Sequence, residues 1–233
     1  MVKGKKITKK QIKKPDEFIS LTSRAIDFSA RHLKKIAIGG VAVLVILLAI
    51  IGFEMWEGKK ERDAAQNLNG ALGLYQTVDA ASREGSAADY KSLLEKFDQI
   101  TRDFPGTSSG KLSLLYQGNI HLKQGEFDAA IKTYEAFLSR MGGERSYALL
   151  ALDGLGYAYE GKKEYDKAID HYRRMIAMGE SFELGEAYLR SGSCYEKLGK
   201  SQEALENYKA FLKGDPKSLM GNVILRKVSL LEK

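Results

Sequence analysis

Four groups of residues in this chain have types and spacings that could do chemistry. A glycine-rich loop ending in Gly-Lys can cradle phosphates on its backbone N–H groups while the lysine reaches the terminal phosphate. The stretch Gly106–Leu112 is one residue short of that spacing, and Leu112 stands where a magnesium-binding Ser or Thr is needed. Phe104 and Pro105 ahead of it read as a helix exit, not a strand, so the stretch is a connecting turn. Gly154 and Gly156 could open a dinucleotide fingerprint, but the third glycine is missing and the pair sits within an apolar-periodic helix. His32, His121 and His171 fall in different elements, and no pair of them has metal-ligand spacing. Cys194, the single cysteine, excludes an internal disulfide and reads as a small core residue between Ser193 and Tyr195. No Ser/His/Asp or Cys/His arrangement can be assembled, and the many carboxylates read as solvated helix faces. Neither catalysis nor a cofactor is expected.

The elements that carry these residues are helical, and one of them is unlike the rest. Ile36 to Phe53 holds no charged residue. As a helix at about 1.5 Å per residue it spans roughly 27 Å, close to the roughly 30 Å hydrocarbon core of a bilayer. A buried core helix would need protein on every side, which a chain of 233 residues has little to spare for. A cleavable signal is disfavoured by the long basic region ahead and by the absence of a small-x-small site around Phe53–Trp56. Trp56 suits an interfacial aromatic, and Lys34 and Lys35 can snorkel to headgroups.

Charge is distributed unevenly about this segment. The net charge is +7, yet residues 1–35 alone carry eleven basic against three acidic side chains, leaving the remainder at −1. The positive-inside rule then predicts a cytoplasmic N-terminus, with everything beyond Trp56 across the membrane. Basic residues beside a bilayer attract anionic lipid. Nucleic acid is not an expected partner, since no aromatics interleave the lysines. Met1 to Lys14 should be disordered, with a helix from Pro15 onward. Phe18, Leu21, Ala25, Phe28 and Leu33 recur at near-helical spacing. That stripe fits either a short helix lying on the inner leaflet or an extension of the spanning helix into water.

Beyond residue 60, period-two alternation is absent, helical periodicity dominates, and the pattern repeats. Leu114, Gly118 and His121 are followed by Phe127, Ala130, Tyr134 and Phe137. Leu152, Gly156 and Tyr159 are followed by Tyr165, Ala168, Tyr172 and Met175. Tyr188, Gly192 and Tyr195 are followed by Ser201, Ala204, Tyr208 and Phe211, with Pro216 closing the unit. The glycine-to-glycine steps are 38 and 36 residues. Each unit reads as a helical hairpin turned at Gly125, Gly161 or Gly199. A Gly in the first helix and an Ala in the second would let the backbones approach, with aromatics filling the wedge to the next pair. No hairpin buries its apolar face alone, so stacking supplies the core. Tyr90, Leu93, Phe97 and Ile100 copy the second-helix half of a degenerate first unit, with Lys60–Ala81 as its long first helix. Leu219–Leu231 reads as a capping helix with Leu219, Val223, Arg226 and Leu230 alternating faces, and Gly142 and Gly143 mark an insertion.

This pattern resembles the tetratricopeptide repeat (TPR), whose period is near 34 residues. The expected fold is all-α, one transmembrane helix followed by a TPR-like α-solenoid. The resemblance implies a protein-binding concave surface on the first helices, around the small glycines. The residues there are Leu112, Leu115, Asn119, Leu122, Asp153, Tyr157, Glu160, Leu189, Ser193 and Glu196. That face is mixed apolar and acidic. Leu115, Gly154 and Glu186 occupy places where a clamp for a C-terminal carboxylate needs polar or basic groups. An extended segment or a folded partner is therefore expected over an acidic tail.

The whole chain also resembles the family of the ancillary subunit of the SecYEG translocon, a single-pass bacterial inner-membrane protein with a periplasmic TPR-like domain. Phe28, Lys35 and Ile36, Gly39, Trp56, the Ala64–Tyr75 helix and the closing Leu219–Leu231 segment carry that likeness. It implies a basic cytoplasmic tail (1–35), a transmembrane helix (36–53) and a periplasmic domain (60–233). The implied partners are the translocon, a membrane-anchored periplasmic chaperone and unfolded clients. The alternative is a structural scaffold for envelope assembly or cell division.

Overall fold

The computed structural model describes residues 17–81, 87–141, 144–179, 183–214 and 218–232. The expectations placed on Met1 to Lys14, on Pro15, on Gly142 and Gly143 and on Pro216 lie outside these residues. The described elements are α-helices: α1 (Glu17–Ala81), α2 (Ala87–Asp103), α3 (Ser108–Lys123), α4 (Phe127–Met141), α5 (Arg145–Gly161), α6 (Tyr165–Ala177), α7 (Glu183–Lys197), α8 (Ser201–Gly214) and α9 (Gly221–Leu231). No strand occurs among the described residues.

The chain divides into two compact units, Met1–Gly58 and Lys59–Lys233. In the first, α1 is long and apolar enough to cross a membrane, with a mean hydropathy of 3.0 in its most apolar window and none of that window buried. Val43, Leu47 and Ile51 are all exposed, as an apolar helix without protein neighbours must be. Helix α1 is continuous from Glu17. The segment that carries the Phe18–Leu33 stripe is part of this helix.

The second unit is a stack of helical hairpins. Successive helices from α2 to α9 adjoin, and in addition α3 adjoins α5 and α5 adjoins α7. No such second-neighbour contact joins α4 to α6 or α6 to α8 among the described residues. The first helices of the hairpins therefore form the inner row. Leu68, Ala71 and Val78 of α1 share a core with Leu93, Phe97 and Ile100 of α2 and Ile120 of α3. A middle core runs from Leu114 to Cys194, and a third joins α8 to Ile224 and Val228 of α9.

The packing at the repeat glycines differs from the expected Gly–Ala approach. Ala130, Ala168 and Ala204 are fully buried. What covers each glycine, however, is a tyrosine ring of the paired helix. A Cβ on Gly118 would lie 2.7 Å from Tyr134, one on Gly156 2.3 Å from Tyr172, and one on Gly192 2.6 Å from Tyr208. The glycine is the slot into which an aromatic plate is laid. Gly154 flanks the other side of the Tyr134 ring, with a Cβ distance of 2.3 Å.

Two further sequence expectations are corrected. Gly161 ends α5 and does not make the turn; a Cβ there would meet the Phe127 ring at 2.3 Å. The left-handed turn positions are Gly125 (φ 74°), Lys163 (φ 60°) and Gly199 (φ 71°). On α9 the buried face is Gly221, Ile224 and Val228; Leu219 lies in the turn before the helix, and it and Val223, Arg226 and Leu230 are all exposed and do not alternate.

Candidate partner-binding surface

The inner row brings five of the ten expected surface residues together. Leu115, Asn119 and Leu122 project from α3, and Asp153 and Tyr157 from α5, into one pocket of about 230 Å³. Leu150, Gly154 and Tyr134 complete its lining. Leu115 is only 5% exposed and belongs to the core, so it forms the pocket's floor and is not a free contact. Leu150, at 50% exposure, is the apolar side chain offered to solvent there. It was missed in the sequence although it lies three and seven residues before Asp153 and Tyr157, spacings that share one helix face.

The other five residues lie apart from this pocket. Leu112 packs between the first and middle cores. Leu189 packs on the third core, and Ser193 is half-buried on α7. Glu160 and Glu196 serve the hairpins. Tyr172 Oη donates to Glu160 Oε1 at 2.6 Å, and Tyr208 donates to Glu196. In the first repeat Leu122 stands at the glutamate position, and Tyr134 Oη donates instead to Asn119 Oδ1 at 2.7 Å. Each buried phenol thus finds the acceptor that a buried hydroxyl needs. Burial, reinforced by these acidic neighbours, raises the Tyr172 and Tyr208 phenols well above their ordinary value. Burial pushes the Glu196 carboxyl up, but the bonds from Lys227 and Tyr208 outweigh it and hold the group below the usual range.

Tyr157 joins the pocket to α7. Its hydroxyl donates to Glu186 Oε1 at 3.2 Å and accepts from Arg190. The Arg190 guanidinium lies 4.1 Å from the ring centroid and donates to Glu186 at 2.7 Å. Burial raises the phenol to about 12 despite Arg190, with Glu186 and Asp153 adding to it. The cation on this part of the face is engaged, and Glu186 stands where a carboxylate clamp would need a basic group.

The residues weighed for catalysis resolve into structural roles. At the phosphate-loop-like turn, Thr107 caps α3 by accepting from Gly110 N at 2.9 Å. The free N–H groups of that helix start, Ser108 and Ser109, donate to the Glu61 carboxylate at 2.8 and 3.2 Å. A carboxylate of the chain itself holds the place an anion would take. Cys194 is buried, its thiol pushed up to about 12 by burial and by Glu160, which leaves it protonated and unreactive. His171 stacks on Tyr159 at 5.3 Å, and burial, with Arg174, lowers its pKa. No cluster of three His, Cys, Asp or Glu able to hold a metal occurs among the described residues. A larger cavity, about 540 Å³, lies between α1 and α2 and has the polar lining Asp63, Gln66, Asn67, Lys96, Gln99 and Asp103. Nothing in the sequence had marked it.

Stacked helical hairpins with an inner row of first helices define a repeat protein of the tetratricopeptide class. Residues 30–233 match the tetratricopeptide repeat-like domain family, and the chain belongs to it. Over 185 residues it is 26% identical to the ancillary SecYEG translocon subunit of Neisseria gonorrhoeae, covering 78% of this chain and 84% of that protein. Among solved structures, a TPR protein from Parabacteroides merdae superposes with a TM-score of 0.57 at 20% identity, over 72% of this chain and 60% of that one. A MamA protein superposes with a TM-score of 0.56 at 18% identity, over 72% and 81%. These two likenesses concern the fold.

Proposed function

We propose that this chain is a membrane-anchored protein-binding module that serves as an ancillary partner of the Sec translocon and the periplasmic chaperone network. The observation that carries the reading is one chain combining an exposed apolar helix, long enough to cross a bilayer, with a TPR-like stack. The similarity to a protein named as an ancillary SecYEG translocon subunit supports the choice of partner. The +8 charge of residues 1–35 supports a cytoplasmic N-terminus and a periplasmic repeat domain, and the same residues suit anionic lipid. The pocket between α3 and α5 supports the inner row as the contact surface, with Leu150 and Tyr157 as its apolar anchors. The remaining expected positions, Leu112, Leu189, Ser193 and the two glutamates, act by shaping that row.

Affinity purification of the full-length protein from mildly solubilised membranes tests the reading. Translocon subunits and a membrane-anchored chaperone should be enriched over a tagged, unrelated single-pass protein. Recovery of neither would overturn the translocon assignment.

A further inference from the structure

The pocket between α3 and α5 is smaller than the roughly 300–1,000 Å³ of small-molecule sites. Its volume of about 230 Å³ suits a single bulky side chain. Leu122, Leu150 and the Tyr157 ring line the opening, above the floor formed by Leu115. A charged group, Asp153, sits among these apolar walls. Glu160, two turns further on α5, accepts from Tyr172, and Glu186 on α7 is paired with Arg190, so Asp153 is the acidic group of the pocket lining itself. The nearby cation, Arg190, is already bonded to Glu186 and laid over Tyr157. Burial raises the phenols of Tyr134, Tyr157 and Tyr172, and the Asp153 carboxylate pushes all three further in the same direction. At Tyr157 the Arg190 cation opposes this effect, so the negative field is centred on Asp153, between α3 and α5.

Resting on the inner-row reading above, we infer that this pocket selects an extended partner segment in which one apolar side chain is flanked by lysine or arginine. The apolar group fills the space between Leu122, Leu150 and Tyr157 while the neighbouring cation faces Asp153. Burial of the anchor supplies affinity, and the carboxylate supplies discrimination, because a segment with glutamates in those places would bring like charges together at low dielectric.

The test uses the full-length protein in phosphatidylcholine nanodiscs and fluorescent synthetic peptides on a Gly/Ser background. One peptide carries a central Leu between lysines, a second the same Leu between glutamates, and a third Ala between lysines. The Lys-Leu-Lys peptide should bind about ten-fold more tightly than either of the others, and added salt should narrow the gap to the glutamate peptide. Asp153→Asn should shrink the lysine preference, and Leu150→Ser should weaken the Leu peptide. Because the comparison is between peptides on the parent protein, it stands even if Asp153→Asn fails to fold. Equal affinity for the lysine- and glutamate-flanked Leu peptides, both weakened by Leu150→Ser, would overturn the charge preference and leave the inner-row surface intact. Binding that ignores both Leu150→Ser and Tyr157→Ser would remove the inner-row surface itself. Failure of every peptide to bind would also overturn the inference.

Discussion

The Tyr172 ring lies where a side chain on Gly156 would have to go: a Cβ built on that glycine would sit 2.3 Å from the ring. The same relationship joins Gly118 to Tyr134 and Gly192 to Tyr208, so one interlock is used three times. Replacing Gly156 by Ala should therefore destabilise the protein. Helix propensity alone favours Ala by about 1 kcal/mol, whereas overpacking costs about 1–3 kcal/mol. The thermal midpoint of Gly156→Ala should fall, and a second change, Tyr172→Leu, should cancel most of the coupling between the two sites. A midpoint that rises with Gly156→Ala alone would contradict the interlock.

Ala168 occupies the facing helix and is fully buried. Ala168→Phe should cost about 1–3 kcal/mol by overpacking, read as a lowered midpoint in urea with an unchanged slope. An unchanged midpoint would mean that Ala168 does not lie in a close helix contact.

Lys163 sits at φ 60°, in the turn position that Gly125 and Gly199 hold in the neighbouring repeats. A lysine there carries the left-handed penalty of about 1–2 kcal/mol, partly offset because Gly loses more backbone entropy on folding. Lys163→Gly should raise stability by up to about 1 kcal/mol. A loss of stability in denaturant titration would count against the turn assignment.

His171 gives the fold a pH dependence with a definite sign. Burial holds its pKa in the folded state below the unfolded value of about 6.5. Between those two values the unfolded chain binds more protons, so stability falls as pH drops below about 6.5 and levels off beneath the folded pKa. His171→Phe keeps the ring on Tyr159 and removes the titration. Its thermal midpoint should fall less than the parent's between pH 7.5 and 5.5; equal falls would exclude His171 as the source.

The repeats were legible because the relevant contacts recur at a fixed step, and Gly118, Gly156 and Gly192 mark that step directly. The charge ladder Asp128–Lys162 (2.6 Å) and Asp166–Lys200 (2.9 Å) even spans 34 residues twice. What faces each glycine was less legible. Both Ala168 and Tyr172 lie on the buried side of α6, and the rotation of the helix against α5 decides which one covers Gly156. Gly161 misled for a similar reason: near a turn, a glycine reads as backbone freedom, while its actual constraint, Phe127, lies in another hairpin. On α9 the apolar residues run all round, so Val223 and Ile224 look alike in sequence and only packing on α8 separates them. At the surface, Leu115 and Leu150 shared the same ambiguity, and burial resolved it.

Whether the inner face of α3 and α5 holds the partner is read most directly by placing a charge at its exposed apolar position. Leu150 is half exposed, so Leu150→Lys should leave the thermal midpoint nearly unchanged. Lys132→Asp, on the exposed side of α4, is the matched control. With both variants expressed at parental levels, translocon recovered with Leu150→Lys should drop about ten-fold, as for the loss of a buried apolar anchor. Recovery with Lys132→Asp should match the parent. Equal recovery from the two variants would contradict binding at this face.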